Sequence, residues 1–134
     1  MVRSVLQASD APYKAKVDVR SHEFFMDEPK ELEGQDEGPT PMEYLAGSLA
    51  ACTSITLRMY LDRKKWVFET IEVNVINNRS EDRKDVSFDV EVRVKANFDD
   101  KQWARVMHII KACPVHKLLS KGTEISVVLI KMAG

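Results

Sequence analysis

Residues 42–64 have the sequence MEYLAGSLAACTSITLRMYLDRK, and this stretch decides the fold. It carries no charge between Glu43 and Arg58, and its first half is apolar almost all round. Thr40 can cap it, Pro41 suits a first helical turn, and Glu43 favours the positive end of a helix dipole. The pattern predicts one long helix that is buried on more than one side.

The residues before this helix have the pattern of a small sheet. Short, partly alternating apolar runs predict strands at Val2–Ala8, Tyr13–Arg20 and His22–Met26. The stretch Asp27–Pro41 contains three prolines and two glycines, a density typical of a loop that crosses the surface.

After the long helix, two stretches alternate strictly between apolar and polar residues, which predicts strands over residues 71–75 and 86–95 with a turn at 77–84. Further along, the sequence predicts a helix capped by Asp99 or Asp100, a short helix from Pro114 to Leu119 that ends at Gly122, and a closing strand at Ile125–Ile130. This order of elements predicts one α+β domain over residues 1–134.

The apolar helix also bears on assembly. One sheet in a chain of 134 residues covers a single side of a helix, whereas this helix needs cover on several sides. We therefore expect a second copy of the chain to supply the rest of the cover, in a homodimer.

Composition and charge exclude several classes of partner and compartment. The net charge is −1 and the basic residues are scattered, so no nucleic-acid surface is indicated. The longest uncharged run is short and interrupted, which argues against a membrane span, and the N-terminus lacks the pattern of a signal peptide. We expect a cytoplasmic protein whose two cysteines are free thiols rather than a structural disulfide.

The two cysteines lie in different local settings. Cys52 is in the apolar middle of the long helix, where burial alone would make a thiol inert. Cys113 precedes Pro114 and is predicted to be the N-cap of the next helix, where unpaired N–H groups favour a thiolate, and His116 follows one turn later. A two-thiol redox cycle requires one reactive thiol opposite a second, although the sequence alone leaves open whether these two meet.

Two other chemistries receive less support from the residues. The spacing Cys113-x-x-His116 is that of metal ligands, and Cys52 or His108 could join them, but there is no second ligand pair of recognised spacing. Hydrolysis by Cys52 would need a histidine and a carboxylate at recognisable positions, and these are absent. No cofactor is implied.

Two motifs resemble the signatures of the OsmC/Ohr family, the osmotically inducible and organic hydroperoxide resistance proteins. The first is GPTPMEYLAGSLAACT at residues 38–53, and the second is ACPVHKLL at residues 112–119. Asp27-Glu-Pro29 and Gly34 also fit. The resemblance covers essentially the whole chain and implies an OsmC-like α+β fold, with antiparallel sheets packed around a long buried central helix in an intertwined homodimer.

The resemblance also implies a function. It makes Cys52 the peroxidatic thiol and Cys113 the resolving thiol in the reduction of organic hydroperoxides, with a dithiol reductant that in this family is often a lipoylated protein. In such proteins a Glu and an Arg activate the peroxidatic Cys. Here Met42 holds the usual Glu position, and Glu43, one residue later, is the candidate for the catalytic carboxylate. Arg20 is the available substitute for the Arg, and these departures indicate a divergent branch.

The same fold is also compatible with a second function, the non-catalytic binding of a ligand. The helix pair of such a dimer leaves an apolar pocket at each interface, and this pocket could hold a lipid or another hydrophobic ligand without chemistry. The altered Glu and Arg positions favour this non-catalytic binding protein, while the presence of both Cys52 and Cys113 favours the peroxidase.

Overall fold

The computed structural model describes residues 1–134 and has the predicted α+β architecture with antiparallel sheets. Its elements are β1 (Val2–Val5), β2 (Ala15–Val19), β3 (His22–Met26), a 3₁₀ turn (Lys30–Leu32), α1 (Pro41–Lys64), β4 (Thr70–Arg79), β5 (Val86–Lys95), α2 (Asp100–Ile110) and α3 (Pro114–Lys121). Strands β1, β2 and β3 form one antiparallel sheet in that order, and β4 pairs with β5 in a second. No helix is long and apolar enough to cross a membrane.

The chain forms two compact units, one of residues Met1–Ala50 with Asn74–Glu91 and the other of Ala51–Val73 with Val92–Gly134. The prediction that residues 1–134 make one domain stays a prediction.

In the first unit, the start of α1 is attached to β3. The ring of Tyr44 lies 5.1 Å from that of Phe24, and its hydroxyl donates to the carbonyl of Phe25 at 3.1 Å. The loop between the two elements is held by Asp27, a buried carboxylate that accepts hydrogen bonds from the N–H groups of Glu28 and Glu37. The predicted loop is therefore ordered by its own polar contacts.

The core of the second unit is formed by α1 and α2. Leu57, Leu61 and Val106 are buried together with Tyr60, and Arg105 donates to the Tyr60 hydroxyl at 3.0 Å. Partly buried hydrophobic residues from the strands and connecting segments surround this cluster: Trp66, Phe68, Ile71, Val92, Val94, Phe98, Ile109 and Ile110. The sequence predicts a cap at Asp99 or Asp100, and the structure shows Asp99 as the N-cap, in a capping box with Gln102.

The strand predicted at Ile125–Ile130 is wrong for the single chain. Residues 122–134 have no regular secondary structure, and the apolar side chains of this run are 77–86% exposed. A strand requires a neighbouring edge for its N–H and C=O groups, and neither sheet of the same chain provides one here. The β-branched composition shows a preference for a strand but does not identify its partner.

Within one chain, α1 is covered on one side. Leu49, Thr53, Leu57 and Leu61 are buried. An exposed row of small and apolar residues runs along the helix at four-residue spacing, and we call it the open stripe: Gly47, Ala51, Ile55 and Met59. The single chain therefore buries only one side of α1 and leaves its open stripe exposed.

Candidate functional site: a thiol pair

Cys113 is the N-cap of α3, as predicted. Pro114 occupies the first helical position, where its missing N–H is not needed and its fixed φ suits the helix. The carbonyl of Cys113 accepts the first helical hydrogen bond, from Lys117 N–H at 3.0 Å. The Cys113 side chain is fully buried and makes no capping bond of its own. Its sulfur is therefore free to interact with another group.

Cys52 lies on α1 and is half-buried. The hydroxyl of Thr56, one helical turn further on, lies 3.9 Å from the Cys52 sulfur. Residues four apart are neighbours on one helix face, which brings the two side chains together.

Three donors converge on the Cys52 sulfur. They are the thiol of Cys113, the backbone N–H of Val115 in the first turn of α3, and the hydroxyl of Thr56. The two cysteines therefore meet. The N-terminus of α3 directs the backbone N–H of Val115 toward Cys52, and the prediction that it favours a thiolate at Cys113 stays a prediction.

These contacts decide the pKa of Cys52. Burial is the largest single influence and raises it, because a thiolate is poorly solvated there. The hydrogen bonds from Cys113, from Val115 N–H and from Thr56 stabilise the thiolate and together outweigh burial. The result is a pKa below the ordinary value of a cysteine, so Cys52 holds more thiolate at neutral pH than a free cysteine does.

Glu43, the predicted carboxylate of the site, is engaged at the start of α1. Its carboxylate accepts from Thr40 N–H at 2.9 Å, and its own N–H donates to the Thr40 hydroxyl at 3.1 Å, which is a capping box. Glu43 lies nine positions before Cys52 on the helix, which is about 13.5 Å of rise along the axis. This distance is too long for a direct contact between the two side chains on the same helix. A role for Glu43 in activating Cys52 stays a prediction.

The other sequence candidates lie apart from any cluster of ligands. Arg20 is exposed in the turn between β2 and β3, has a left-handed φ of 52° and makes no ion pair. His116 is half-buried on α3. No group of three or more His, Cys, Asp or Glu side chains in the structure is placed to hold a metal ion. The described contacts of Cys52 include neither a histidine nor a carboxylate.

Two functional groups of the site were missed from the sequence. Thr56 carries a detectable signal, because a hydroxyl four residues after a helical cysteine faces the same side. Val115 acts through its backbone N–H, which is independent of residue type, so only the position of Cys52 against α3 reveals it.

Comparison with known proteins identifies the family of the chain. The family model described as OsmC-like protein matches residues 34–128. The OsmC-like protein of Mycoplasma pneumoniae is 19% identical, with a TM-score of 0.74 over 90% of this chain and 86% of that chain. The organic hydroperoxide resistance protein OsmC of Legionella pneumophila is 14% identical, with a TM-score of 0.61 over 90% and 88%.

A third solved structure is the organic hydroperoxide resistance protein of Elizabethkingia anophelis with thiocyanate bound. It is 18% identical, with a TM-score of 0.61 over 91% of this chain and 89% of that chain. At these identities the structural likeness shows a shared fold. A comparison with curated proteins gives no match.

Proposed function

The chain belongs to the OsmC-like protein family, and from that premise we propose that it reduces organic hydroperoxides, with Cys52 as the attacking thiol and Cys113 as the resolving thiol. The observation that carries the proposal is the hydrogen bond from the Cys113 thiol to the Cys52 sulfur. It puts a second thiol against a sulfur that is already biased toward the thiolate.

The proposed cycle has three balanced steps. The Cys52 thiolate attacks one peroxide oxygen, the O–O bond breaks, and the other oxygen leaves as an alcohol after taking a proton, which leaves Cys52 as a sulfenic acid. The Cys113 thiol then attacks that sulfur, water leaves, and a Cys52–Cys113 disulfide forms. An external dithiol reduces the disulfide by exchange and is itself oxidised to a disulfide.

The exposures of the two sulfurs predict where the reductant attacks. Cys113 is fully buried, whereas Cys52 is half-buried and accessible. An external dithiol therefore attacks the Cys52 sulfur and releases the Cys113 thiol first. A lipoyl group on a protein is a suitable dithiol, because it is carried on a long arm that can reach such a sulfur. Two thiols that must be reduced in each cycle favour the cytoplasm as the compartment.

The decisive experiment is peroxide consumption with dihydrolipoamide and cumene hydroperoxide. We expect Cys52→Ser to abolish consumption at every concentration of reductant. We expect Cys113→Ser to consume about one equivalent and then stall, with a sulfenic acid at Cys52 that dimedone traps and that over-oxidises readily. Wild type that is oxidised without reductant should show a Cys52–Cys113 disulfide by mass spectrometry. Full turnover in Cys52→Ser would overturn the proposal.

The proposal includes a homodimer. The chain exposes 10681 Å² of surface, whereas folded monomers of 15.3 kDa expose about 7,100 Å². An excess of about 3,500 Å² on each chain leaves ample surface for an obligate dimer to bury. The open stripe of α1 and the exposed segment Ile125–Ile130 are the apolar surfaces that a second copy would cover.

One observation favours the alternative of a non-catalytic binding protein. A cavity of about 490 Å³ lies on the open stripe of α1 in the second unit. Its apolar lining is Ile55, Met59, Phe68 and Ile71, and its polar lining is Ser54, Arg58, Glu69 and Thr70. Its size suits a small apolar ligand. Binding of a fluorescent fatty acid to Cys52→Ser as tightly as to wild type, together with no peroxide consumption by wild type, would favour this function over the peroxidase.

A further inference from the structure

The resolving thiol of the proposed cycle needs a base. A thiol attacks another sulfur only as a thiolate, so Cys113 has to lose its proton before a disulfide can form. Cys113 is fully buried, and the sulfur of Cys52 is the group with which its thiol makes a hydrogen bond. Solvent has no direct access to this proton, so the acceptor must be a group that already contacts Cys113.

The charged and titratable side chains near Cys113 supply no such acceptor. Those within five positions of it along the chain are His108, Lys111, His116 and Lys117. None of them makes a hydrogen bond with the Cys113 sulfur, and all except the half-buried His116 are exposed. From α1, Cys52 is the titratable group in contact. The acceptor is therefore to be found on the Cys52 side chain, and His116 is its nearest rival.

The reaction of Cys52 with peroxide creates a base at this contact. The Cys52 thiolate attacks the hydroxyl oxygen of the hydroperoxide, the O–O bond breaks, and the proton of that hydroxyl leaves with the alcohol. No other proton is consumed, so Cys52 becomes a sulfenate, the ionised form of the sulfenic acid. Its negative oxygen is bonded to the sulfur that Cys113 already faces, and rotation about the Cβ–Sγ bond of Cys52 brings the oxygen toward the Cys113 thiol.

We propose that the sulfenate oxygen of Cys52 is the base that activates Cys113, an inference that rests on the proposed function. The Cys113 proton moves to that oxygen, which leaves a thiolate at Cys113 and a neutral sulfenic acid at Cys52. The Cys113 thiolate then attacks the Cys52 sulfur, the S–S bond forms and the S–O bond breaks. Hydroxide leaves and takes a proton from solvent to become water. One proton transfer thus prepares the nucleophile and the leaving group together.

The other two donors at Cys52 do not compete for this role. The Thr56 hydroxyl and the Val115 N–H are much weaker acids than a thiol. They stabilise a negative charge on Cys52 by hydrogen bonding but keep their protons. Of the three groups that contact the Cys52 sulfur, Cys113 is therefore the one that can protonate the sulfenate.

The test compares two reactions of the Cys113 thiol in the full chain. In the first, reduced chain is mixed with cumene hydroperoxide without reductant, and acid quenching with mass spectrometry follows the conversion of the sulfenic acid to the Cys52–Cys113 disulfide. In the second, the chain is mixed with one equivalent of dithiobisnitrobenzoate, which forms a mixed disulfide with no oxygen on the Cys52 sulfur. Absorbance follows the thionitrobenzoate that is released when Cys113 attacks this mixed disulfide.

We expect the two reactions to depend differently on pH. Between about pH 7 and 8 the release of thionitrobenzoate should accelerate about tenfold, because Cys113 must then lose its proton to solvent. Disulfide formation from the sulfenic acid should change by less than about twofold over the same range, because the proton stays within the thiol pair. His116→Gln removes the rival base and should leave both rates within about twofold of wild type.

Two results would overturn this inference and leave the proposed function in place. One is the same pH dependence in both reactions, and the other is a disulfide formation that His116→Gln slows about tenfold or more. The absence of any sulfenic acid or disulfide at Cys52 after cumene hydroperoxide would overturn the proposed function, and this inference with it. The release of thionitrobenzoate would still report in that case that the two thiols react with each other.

Discussion

Thr56 adjusts the proton affinity of Cys52 from one helical turn away. Its hydroxyl lies 3.9 Å from the sulfur and stabilises the thiolate against the cost of burial. Cys113 and the N–H of Val115 do the same from α3. The reactivity of Cys52 therefore depends on neutral groups, and no charged side chain contributes to its lowered pKa.

Removing the Thr56 hydroxyl should raise the pKa of Cys52. Thr56→Val keeps the shape of the side chain but not the donor, so the thiolate loses one of its three hydrogen bonds. The rate of alkylation by iodoacetamide rises with pH as the thiol ionises, and its midpoint should move to higher pH in Thr56→Val. Thr56→Ser keeps the hydroxyl and is the matched control, which should retain the midpoint of wild type. A midpoint that Thr56→Val leaves in place would show that the hydroxyl does not act on the sulfur.

At the residue scale, the sequence located the two thiols but not their chemical environment. The helix start at Pro114 follows from proline geometry, so the N-cap position of Cys113 was predictable. The pairing of Cys113 with Cys52 is a contact across 61 positions of sequence, and no local pattern encodes it. The capping box of Glu43 is visible in the sequence as Thr40 followed three residues later by Glu, whereas the family resemblance implies a catalytic role for Glu43.

The loop from Asp27 to Pro39 is held by one buried side chain. The Asp27 carboxylate is buried and accepts from two backbone N–H groups, at 2.8 Å and 3.2 Å. Gly34 in the same loop passes so close to the Glu28 carbonyl that an added Cβ would lie 1.9 Å from its oxygen. These contacts restrict the backbone conformation of the loop, which leads into the start of α1.

Substituting Asp27 should therefore destabilise the chain. Asp27→Ala leaves two backbone donors without an acceptor in a partly buried place, at a cost of about 2–4 kcal/mol in the free energy of unfolding. Glu31→Ala, at an exposed residue of the same loop, should change it by less than about 0.5 kcal/mol. Urea unfolding at equal chain concentration measures both, and equal stability of the two variants would contradict the role given to Asp27.

The regular elements follow local rules, and the one wrong element does not. Helix α1 and strands β4 and β5 were predictable because their periodicities are strong and their ends carry caps or turns. The run Ile125–Ile130 has the composition of a strand, but whether a strand forms depends on an edge supplied from elsewhere. The sequence pattern shows which secondary structure a segment prefers, but it does not show which other segment it would pair with.

For the whole molecule, the proposed assembly depends on the apolar surface that a single chain leaves exposed. The open stripe on α1 includes Ile55 and Met59, which are 53% and 62% exposed. Gly47 and Ala51 continue it with small side chains, which let a second helix approach closely. A C2 pair of chains would cover the same stripe on both copies at once.

The proposed homodimer can be tested by substituting charged residues into the open stripe. Wild type should sediment at twice 15.3 kDa at micromolar concentration. The double substitution Ile55→Glu and Met59→Glu should shift the equilibrium to monomer, because it buries four charges in the paired state. Val67→Glu, at an apolar residue that is 84% exposed and does not belong to the stripe, is the control and should remain dimeric.

Two outcomes would contradict this assembly. One is a wild type that sediments as a stable monomer, and the other is a doubly charged variant that stays dimeric. If that variant does not fold, the unfolding midpoint of wild type gives the answer, because only an obligate dimer becomes more stable as chain concentration rises.

The exposed segment at the end of the chain has a consequence for protein turnover. Proteases bind their substrates as extended strands and cleave most readily where no unfolding is needed. In a lone copy, residues 123–134 offer such a substrate at once, with the apolar side chains of Ile125–Ile130 accessible. A copy whose segment is covered by a partner escapes this cleavage. Orphan subunits would then be removed quickly while assembled ones persist, and the half-life of the chain in a cell would rise with its abundance.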